Sequence, residues 1–258
     1  MADERRRGSD SSEDEQNAWE KFVQPIFAEF IGTALYTFLA CMAVTGSGIF
    51  GIGIAHGFAM AALCTGFIEI SGGQFNPAVS LASVLAGGTH PIVGLIYIPI
   101  QIVAGLVGSA FVKAVLQEDT YNEFDGGAPM LRGNRRITPF DEYDKVNRWE
   151  FSVVSAIIIE ILVCTLIYLS YLMSNVDTRT GVKDPIYYGF GVSAGVLASY
   201  YVSGGAFNPA VSFGAAIVSG YWPNHYVYWA GPVVGALISA ALYRLLLGDR
   251  KKRLLFKG

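Results

Sequence analysis

Ser71–Ser80 reads SGGQFNPAVS and Ser203–Ser212 reads SGGAFNPAVS, so nine of ten positions agree at a separation of 132 residues. Each copy sits between apolar runs rather than in a polar loop. Paired glycines allow a tight bend. Asn is a favoured helix N-cap, and Pro one residue later suits the first helical turn. The pattern therefore predicts short helices opening at Asn76 and Asn208, closed by Gly87-Gly88 and by Gly220. At ~1.5 Å per residue, about ten residues cover roughly half of a ~30 Å hydrocarbon layer. Half-length helices at matching places in two halves of a chain point to a permeation site within a membrane.

The surrounding chain supports a membrane setting. It has 258 residues, 52% hydrophobic and only 15% charged, with mean hydropathy +0.41, whereas a soluble domain carries about 25% charge. An all-α, multi-pass membrane protein follows, with six transmembrane helices plus two half-helices. The net charge of −3 says little about partners, because charge is confined to ends and loops. Cys41, Cys64 and Cys164 all lie in apolar runs, which suits neither a disulfide framework nor a metal site. Cys41 is the one cysteine with a second reading, as a pore-facing redox target. No nucleotide or phosphate-loop motif occurs, so no cofactor, no nucleic-acid partner and no driven transport are expected.

Residues 1–21 read as a disordered tail, in which Ser9, Ser11 and Ser12 stand beside acids. A first repeat covers 22–117: spans over Phe22–Val44 and Ile49–Ile70, the half-helix from Asn76, and a span over Pro91–Leu116. A long loop of mixed charge occupies 118–150. The second repeat covers 151–247: spans over Phe151–Met173 and Pro185–Val202, the half-helix from Asn208, and a span over His225–Leu247. A basic tail, 248–258, closes the chain.

The halves match beyond the decapeptides. Gly57-Phe58 pairs with Gly189-Phe190 at 132, Glu29 with Glu160 at 131, and Gly105, Ser109 and Ala110 with Gly235, Ser239 and Ala240 at 130. Three spans per half is an odd number, so the copies insert in opposite directions and their half-helices meet near the midplane. Placing both termini in the cytoplasm puts twelve Lys/Arg inside, against six outside accompanied by eight acids in the long loop.

Each helix N-terminus acts as roughly +0.5 charge. Two of them aimed at one point repel cations, while Asn76 and Asn208 offer amide N–H groups to a passing oxygen or nitrogen. A neutral hydrogen-bonding solute suits such a site; an anion pore would add Arg or Lys rings, and none lies near either Asn. Glu29 and Glu160 are isolated carboxylates in apolar spans and need partners. One per broken loop, they are expected to accept loop N–H bonds rather than to relay protons.

With two FNPAVS motifs, AEFIGT and IIIEILVCTL around the acids, and six spans in inverted halves, the chain resembles an aquaporin from Phe22 onward. FVQP, AHGFA, ISGGQFNPAVSLA and GDRKKRLLFKG are similar to the aquaporin-8-like, ammonia-permeable branch, with plant tonoplast intrinsic proteins the next type. The resemblance implies a homotetramer with one pore per subunit and a pore lined by Asn76, Pro77, Ala78, Asn208, Pro209 and Ala210. It implies a selectivity filter transferred by spacing to His56, Val196, Gly205 and Val211. Val211 departs from the Arg usual in the family. A guanidinium ~4 Å from a permeating cation would contribute about 4 kcal/mol of repulsion at a dielectric of 20, so this filter should be wider and more apolar than a strict water filter.

Water plus ammonia, hydrogen peroxide or urea are the expected solutes. Glycerol conduction is the nearest rival, although the glycerol-type branch places Asp where Val211 stands. A structural or junctional protein with an occluded pore is the rival from another class, its long loop, with Tyr121, Phe124 and Tyr143, capping the mouth or making contacts. No nucleophile, base and orienting group converge, so an enzyme is not expected. An imidazole titrates near pH 6.5, and His56 raises the expectation of slower permeation at mildly acid pH, for which solute flux between about pH 5 and 8 is the check.

Overall fold

The computed structural model describes residues 17, 19–46, 48–131, 151–179 and 183–255. The serines and arginines of the N-terminal tail, and Tyr143 with the rest of 132–150, lie outside the described residues.

Nine α-helices occur among the described residues: α1 Gln24–Ala43, α2 Ile49–Ser71, α3 Pro77–Ala86, α4 Pro91–Val115, α5 Glu118–Glu123, α6 Val153–Tyr171, α7 Ile186–Ser203, α8 Pro209–Ser219 and α9 Val227–Leu242. Wider π-type turns at Trp19–Val23, Leu172–Val176 and Tyr243–Leu247 extend α1, α6 and α9, and a 3-10 turn occupies Asp125–Gly127. The boundaries have local causes. Ser152 Oγ accepts the Ser155 N–H at 3.1 Å and opens α6, and Pro91 opens α4, capped by His90 Nδ1. The two half-helices, 10 and 11 residues long, end at Gly87 and Gly220 with φ 76° and 77°, a left-handed cap that favours Gly.

Five helical stretches, Trp19–Ala43, Ile49–Ser71, Pro91–Val115, Val153–Val176 and Val227–Leu247, are long and apolar enough to cross a membrane. The sixth expected span is α7, and its composition differs. Its 18 residues include four Tyr, three Ser and three Gly, although ~1.5 Å per residue still gives about 27 Å. The small and polar residues lie on its inner face: Gly189, Gly191, Ser193, Gly195 and Ser199 are buried, while Ile186, Tyr187, Phe190 and Leu197 are exposed on the other.

Packing respects the duplication. Exchanging α1 with α6, α2 with α7, α3 with α8 and α4 with α9 maps each main helix contact onto another: α1–α4 onto α6–α9, α4–α8 onto α9–α3, and α1–α2 onto α6–α7. The α2–α7 pair maps onto itself and forms the seam between the halves. There a Cβ on Gly57 would lie 2.6 Å from the Gly189 carbonyl, and one on Gly189 2.5 Å from the Gly57 carbonyl. The half-helix α8 is seated similarly, since a Cβ on Gly105 of α4 would overlap the Ala210 carbonyl and one on Gly214 the Gly105 carbonyl.

The long loop is not all loop. Its first part forms α5 and the 3-10 turn and folds back on the bundle, burying Tyr121, Met130 and Leu131.

Gly105→Ala is expected to destabilise the protein by about 1–3 kcal/mol through overpacking against α8. Gly66→Ala on α2, with nothing within 4 Å of the added carbon, should leave the thermal midpoint in detergent unchanged. Equal midpoints for the two variants would contradict the close α4–α8 seat.

Candidate functional site

The two decapeptide loops adopt one conformation twice. Gly72, Gly73 and Phe75 have φ 92°, 60° and 50°, and Gly204, Gly205 and Phe207 have φ 90°, 68° and 49°. Positive φ at a bulky Phe is an outlier and costs on the order of 1–3 kcal/mol, so the surroundings must enforce it. They do so by bonding the loops' backbone groups.

Glu29, fully buried, accepts from Ser71 Oγ at 2.6 Å, the Gln74 N–H at 3.0 Å, the Phe75 N–H at 2.8 Å and Gln101 Nε2 at 2.7 Å. Glu160 accepts from Ser203 Oγ at 2.6 Å and the Phe207 N–H at 3.3 Å, with the Ala206 N–H alongside. The carbonyls are met by tyrosines. In the first loop Tyr97, Tyr171 and Tyr188 donate to the Ser71, Gly72 and Gln74 carbonyls at 3.3, 2.9 and 3.1 Å. In the second, Tyr228 and Tyr168 donate to the Ser203 and Phe207 carbonyls at 2.8 and 2.7 Å.

Each asparagine caps its own half-helix and grips the opposite loop. Asn76 Oδ1 accepts the Ala78 N–H at 2.9 Å, and its Nδ2 donates to the Phe207 carbonyl at 2.8 Å. Asn208 Oδ1 accepts the Ala210 N–H at 3.0 Å, and its Nδ2 donates to the Phe75 carbonyl at 2.8 Å. The two N-termini are thereby drawn to one point. Because an amide nitrogen carries two hydrogens, one of the two on each Asn is engaged across the junction and one remains to donate. Pro77, Ala78, Pro209 and Ala210 form the first turns of α3 and α8 and are buried.

Beside this junction lies a cavity of about 20 Å³ lined by Ala40, Val44, His56, Gly127, Pro129, Tyr200, Gly204, Gly205, Ala206 and Val211. Room of this size holds roughly one water. His56, Gly205 and Val211 thus share one wall space. Val196 does not line it: it is fully buried behind Gly205, its Cα 3.5 Å from where a Gly205 Cβ would be, and Tyr200, one turn further along α7, reaches the cavity instead. His56 is 8% exposed, with Nε2 3.1 Å from the Ala40 carbonyl. A carbonyl only accepts, so this nitrogen carries the hydrogen.

Two asymmetries between the halves have physical reasons. The one differing decapeptide position is Gln74 against Ala206. Gln74 Nε2 bonds Thr89 Oγ1 at 2.7 Å beside the end of α3, whereas Ala206 borders the cavity, where a longer side chain would fill it. Gln101 donates to Glu29 and also to Ser80 Oγ at 2.8 Å. Its counterpart 130 residues on is Gly231, where a Cβ would overlap that of Glu160, so α9 closes directly on the second acid.

The sequence reading did not pick out Gln101, the five bonding tyrosines, or Gly127, Pro129 and Tyr200. A lone Gln inside the 25-residue α4 was a usable signal, since an unpaired amide in lipid is costly. The Gly126-Gly127 pair, φ 62° and 78°, was another. A Cβ on Gly127 would lie 2.7 Å from the Cys41 Cα, which brings this loop into the site and leaves Cys41 buried behind it rather than lining the cavity. Among the described residues no His, Cys, Asp and Glu grouping could hold a metal ion, and the three cysteines are unpaired.

Comparison with known proteins places this geometry. The family model described as "Major intrinsic protein" matches residues 16–243. Aquaporin-8 of Mus musculus is 36% identical over 245 residues, covering 93% of this chain and 88% of its own length. Aquaporin TIP1-2 of Musa acuminata is 33% identical, covering 86% and 85%. The X-ray structure of the aquaglyceroporin from Plasmodium falciparum superposes with a TM-score of 0.66 at 18% identity, covering 86% of this chain and 95% of that one.

Replacing Glu29 by Gln turns an acceptor oxygen into an NH2 that faces other donors. Glu29→Gln is expected to lower stability by about 2–4 kcal/mol, and Glu160→Gln by less because its bonds are fewer and longer. Thermal unfolding of both variants is the check, and a larger loss at Glu160 would reverse the ranking.

Proposed function

We propose, for a chain that belongs to the major intrinsic protein family, a pore that passes ammonia and hydrogen peroxide readily, urea less readily, and ions not at all. The chain is a multi-pass integral membrane protein and a channel for water and small solutes; members of this family are channels rather than enzymes. The observation that carries the solute choice is the cavity of about 20 Å³ with Val211 in its wall.

Asn76 and Asn208 turn their oxygens toward their own helices, so toward a solute each offers its remaining N–H. A water passing them can accept from both amides with its two lone pairs, and an ammonia from one of them with its single lone pair. Neither can at the same time pass a hydrogen-bond chain onward along the pore axis through those groups. The two half-helix dipoles add a positive potential at the same point, which opposes cations. Asn76, Pro77, Ala78, Asn208, Pro209 and Ala210 are the residues of this central station.

His56, Gly205 and Val211 form the narrow station, with Val196 supporting Gly205 from behind and Tyr200 completing the wall. Val offers neither charge nor hydrogen bond, so entry is ranked by size and by the polar partners left: the His56 ring and loop backbone. Ammonia and peroxide are near the size of water, urea and glycerol are larger. The likeness to the aquaglyceroporin concerns the fold, so glycerol stays the lower-ranked reading. Glu29 and Glu160 are assigned to holding the loops.

Both termini are assigned to the cytoplasm. The end of the bundle that carries them holds eight Lys/Arg against five acids among the described residues, while the end with α5 holds Lys113 against four acids. Assembly as a homotetramer with one pore per subunit, in a plasma or internal membrane, completes the proposal.

Val211→Arg in proteoliposomes is expected to cut methylamine, peroxide and urea uptake at least about tenfold by narrowing the cavity in whose wall Val211 stands, with water shrinkage rates reduced less. Unchanged solute uptake would overturn the filter assignment, and wild-type vesicles no faster than bare lipid would favour the occluded, structural reading.

A further inference from the structure

The last described segment of the chain is folded, and folded in a way that spends its acids and presents its cations. Gly248 reverses direction after the span, its N–H bonding the Tyr243 carbonyl at 2.8 Å. Asp249 is buried. One carboxylate oxygen accepts the Lys251 and Lys252 N–H groups at 2.8 and 3.0 Å, and the other accepts the Thr178 N–H and Oγ1 at 3.2 and 2.9 Å. The Asp249 N–H in turn reaches Asp177 Oδ2 at 3.0 Å, while Asp177 pairs with Arg179 at 2.8 Å. Lys252 Nζ donates to the Val176 carbonyl at 2.6 Å, and the Leu254 N–H to the Arg244 carbonyl at 2.6 Å. The turn is thus latched on one side to the segment after α6 and on the other to the end of α9.

The latch sorts the side chains by height along the span. The bond to the Arg244 carbonyl, which points toward the helix C-terminus, returns Leu254 to about the level of Leu247. Leu245, Leu246 and Leu247 are exposed there, and Leu254 and Leu255 are 52% and 45% exposed. Five exposed leucines at the end of a membrane span belong in hydrocarbon. Arg250 and Lys251, at the tip of the reversal, are exposed beyond that level, and Arg179 beside them has a side chain 52% exposed. Glu69, the exposed acid near the end of α2, is paired with Lys183 at 3.1 Å, and Asp184, which shares a groove with Leu247, accepts the Ile186 N–H at 3.3 Å. What remains is a leucine floor with a positive ledge directly above it.

We propose that the Gly248–Leu255 turn is a binding site for an anionic phospholipid of the same bilayer leaflet, its acyl chains on the exposed leucines and its headgroup phosphate and carboxylate on Arg250 and Lys251. The surface is continuous with the exposed leucines 245–247 that extend α9, and its charge is complementary to an acidic headgroup. Cations near a membrane surface each favour acidic lipid roughly fivefold. The occupied site would brace the inner end of the first half-helix, because a Cβ on Gly88, just past α3, would lie 2.6 Å from the side chain of Val176, whose carbonyl holds Lys252.

The test uses the full chain in detergent micelles, titrated separately with phosphatidylserine, phosphatidylcholine and the chain-free headgroup glycerophosphoserine, with bound lipid counted by native mass spectrometry. Phosphatidylserine is expected to bind at least about tenfold more tightly than phosphatidylcholine, and the headgroup alone not detectably, since two exposed cations act together with the leucines. In Arg250→Gln/Lys251→Gln, whose replaced side chains are exposed and outside the latch, the preference should fall below about threefold with elution volume and water permeability unchanged. Leu254→Ser/Leu255→Ser should weaken both lipids together. Equal binding of the two lipids by the wild-type chain, or a full preference retained by the Arg250/Lys251 variant, would overturn the proposal.

Discussion

Two hydrogen bonds hold the centre of this molecule: Asn76 Nδ2 to the Phe207 carbonyl and Asn208 Nδ2 to the Phe75 carbonyl. Each is made by a residue that also caps its own half-helix, so the same two side chains end the helices and tie them to each other. The tie brings two like-signed helix ends together at low dielectric, an arrangement that would separate without it. It also shapes what a solute meets, because both amide oxygens are turned to their own helices and one N–H of each asparagine is left. The proposed preference for a neutral acceptor would therefore follow from the packing requirement rather than from an added binding residue.

Everything around the tie serves to make irregular backbone tolerable inside a membrane, where an unbonded N–H or C=O costs several kcal/mol. Glu29 and Glu160 answer the N–H groups, and five tyrosine hydroxyls answer the carbonyls. Two Phe residues are held at positive φ as a result, and that conformation turns their carbonyls toward the opposite asparagine. The polar composition of α7 has the same origin. Its Tyr188 bonds the first loop and its Gly189 closes the seam with α2, so the polar and small residues of α7 are placed where they meet protein.

Much of this was legible in the sequence, for identifiable reasons. Paired glycines, Asn and Pro specify a cap and a first turn locally, and their repetition at 132 residues exposed the duplication and hence the inverted layout. Glu29 and Glu160 stood out because charge is rare in apolar runs. Gln101 and the tyrosines did not, since Tyr is common in membrane helices and only its hydroxyl's destination distinguishes a loop clamp from an interfacial ring. The family resemblance, transferred by spacing, assigned Val196 to the filter; in the structure Val196 packs behind Gly205, and Tyr200, one turn further along α7, lines the cavity. The contribution of Gly127 and Pro129 depends on a loop folding back through α5, a tertiary choice that the turn residues of that loop permit without requiring.

The most direct measurement of the central tie is an experimental density map of the protein in lipid, at a resolution that places side-chain amides. Each asparagine Nδ2 should lie near 2.8 Å from the Phe carbonyl of the other loop, with both helix starts bordering one continuous lumen. Half-helix tips separated by a layer of water, with either amide turned away from the opposite carbonyl, would contradict it.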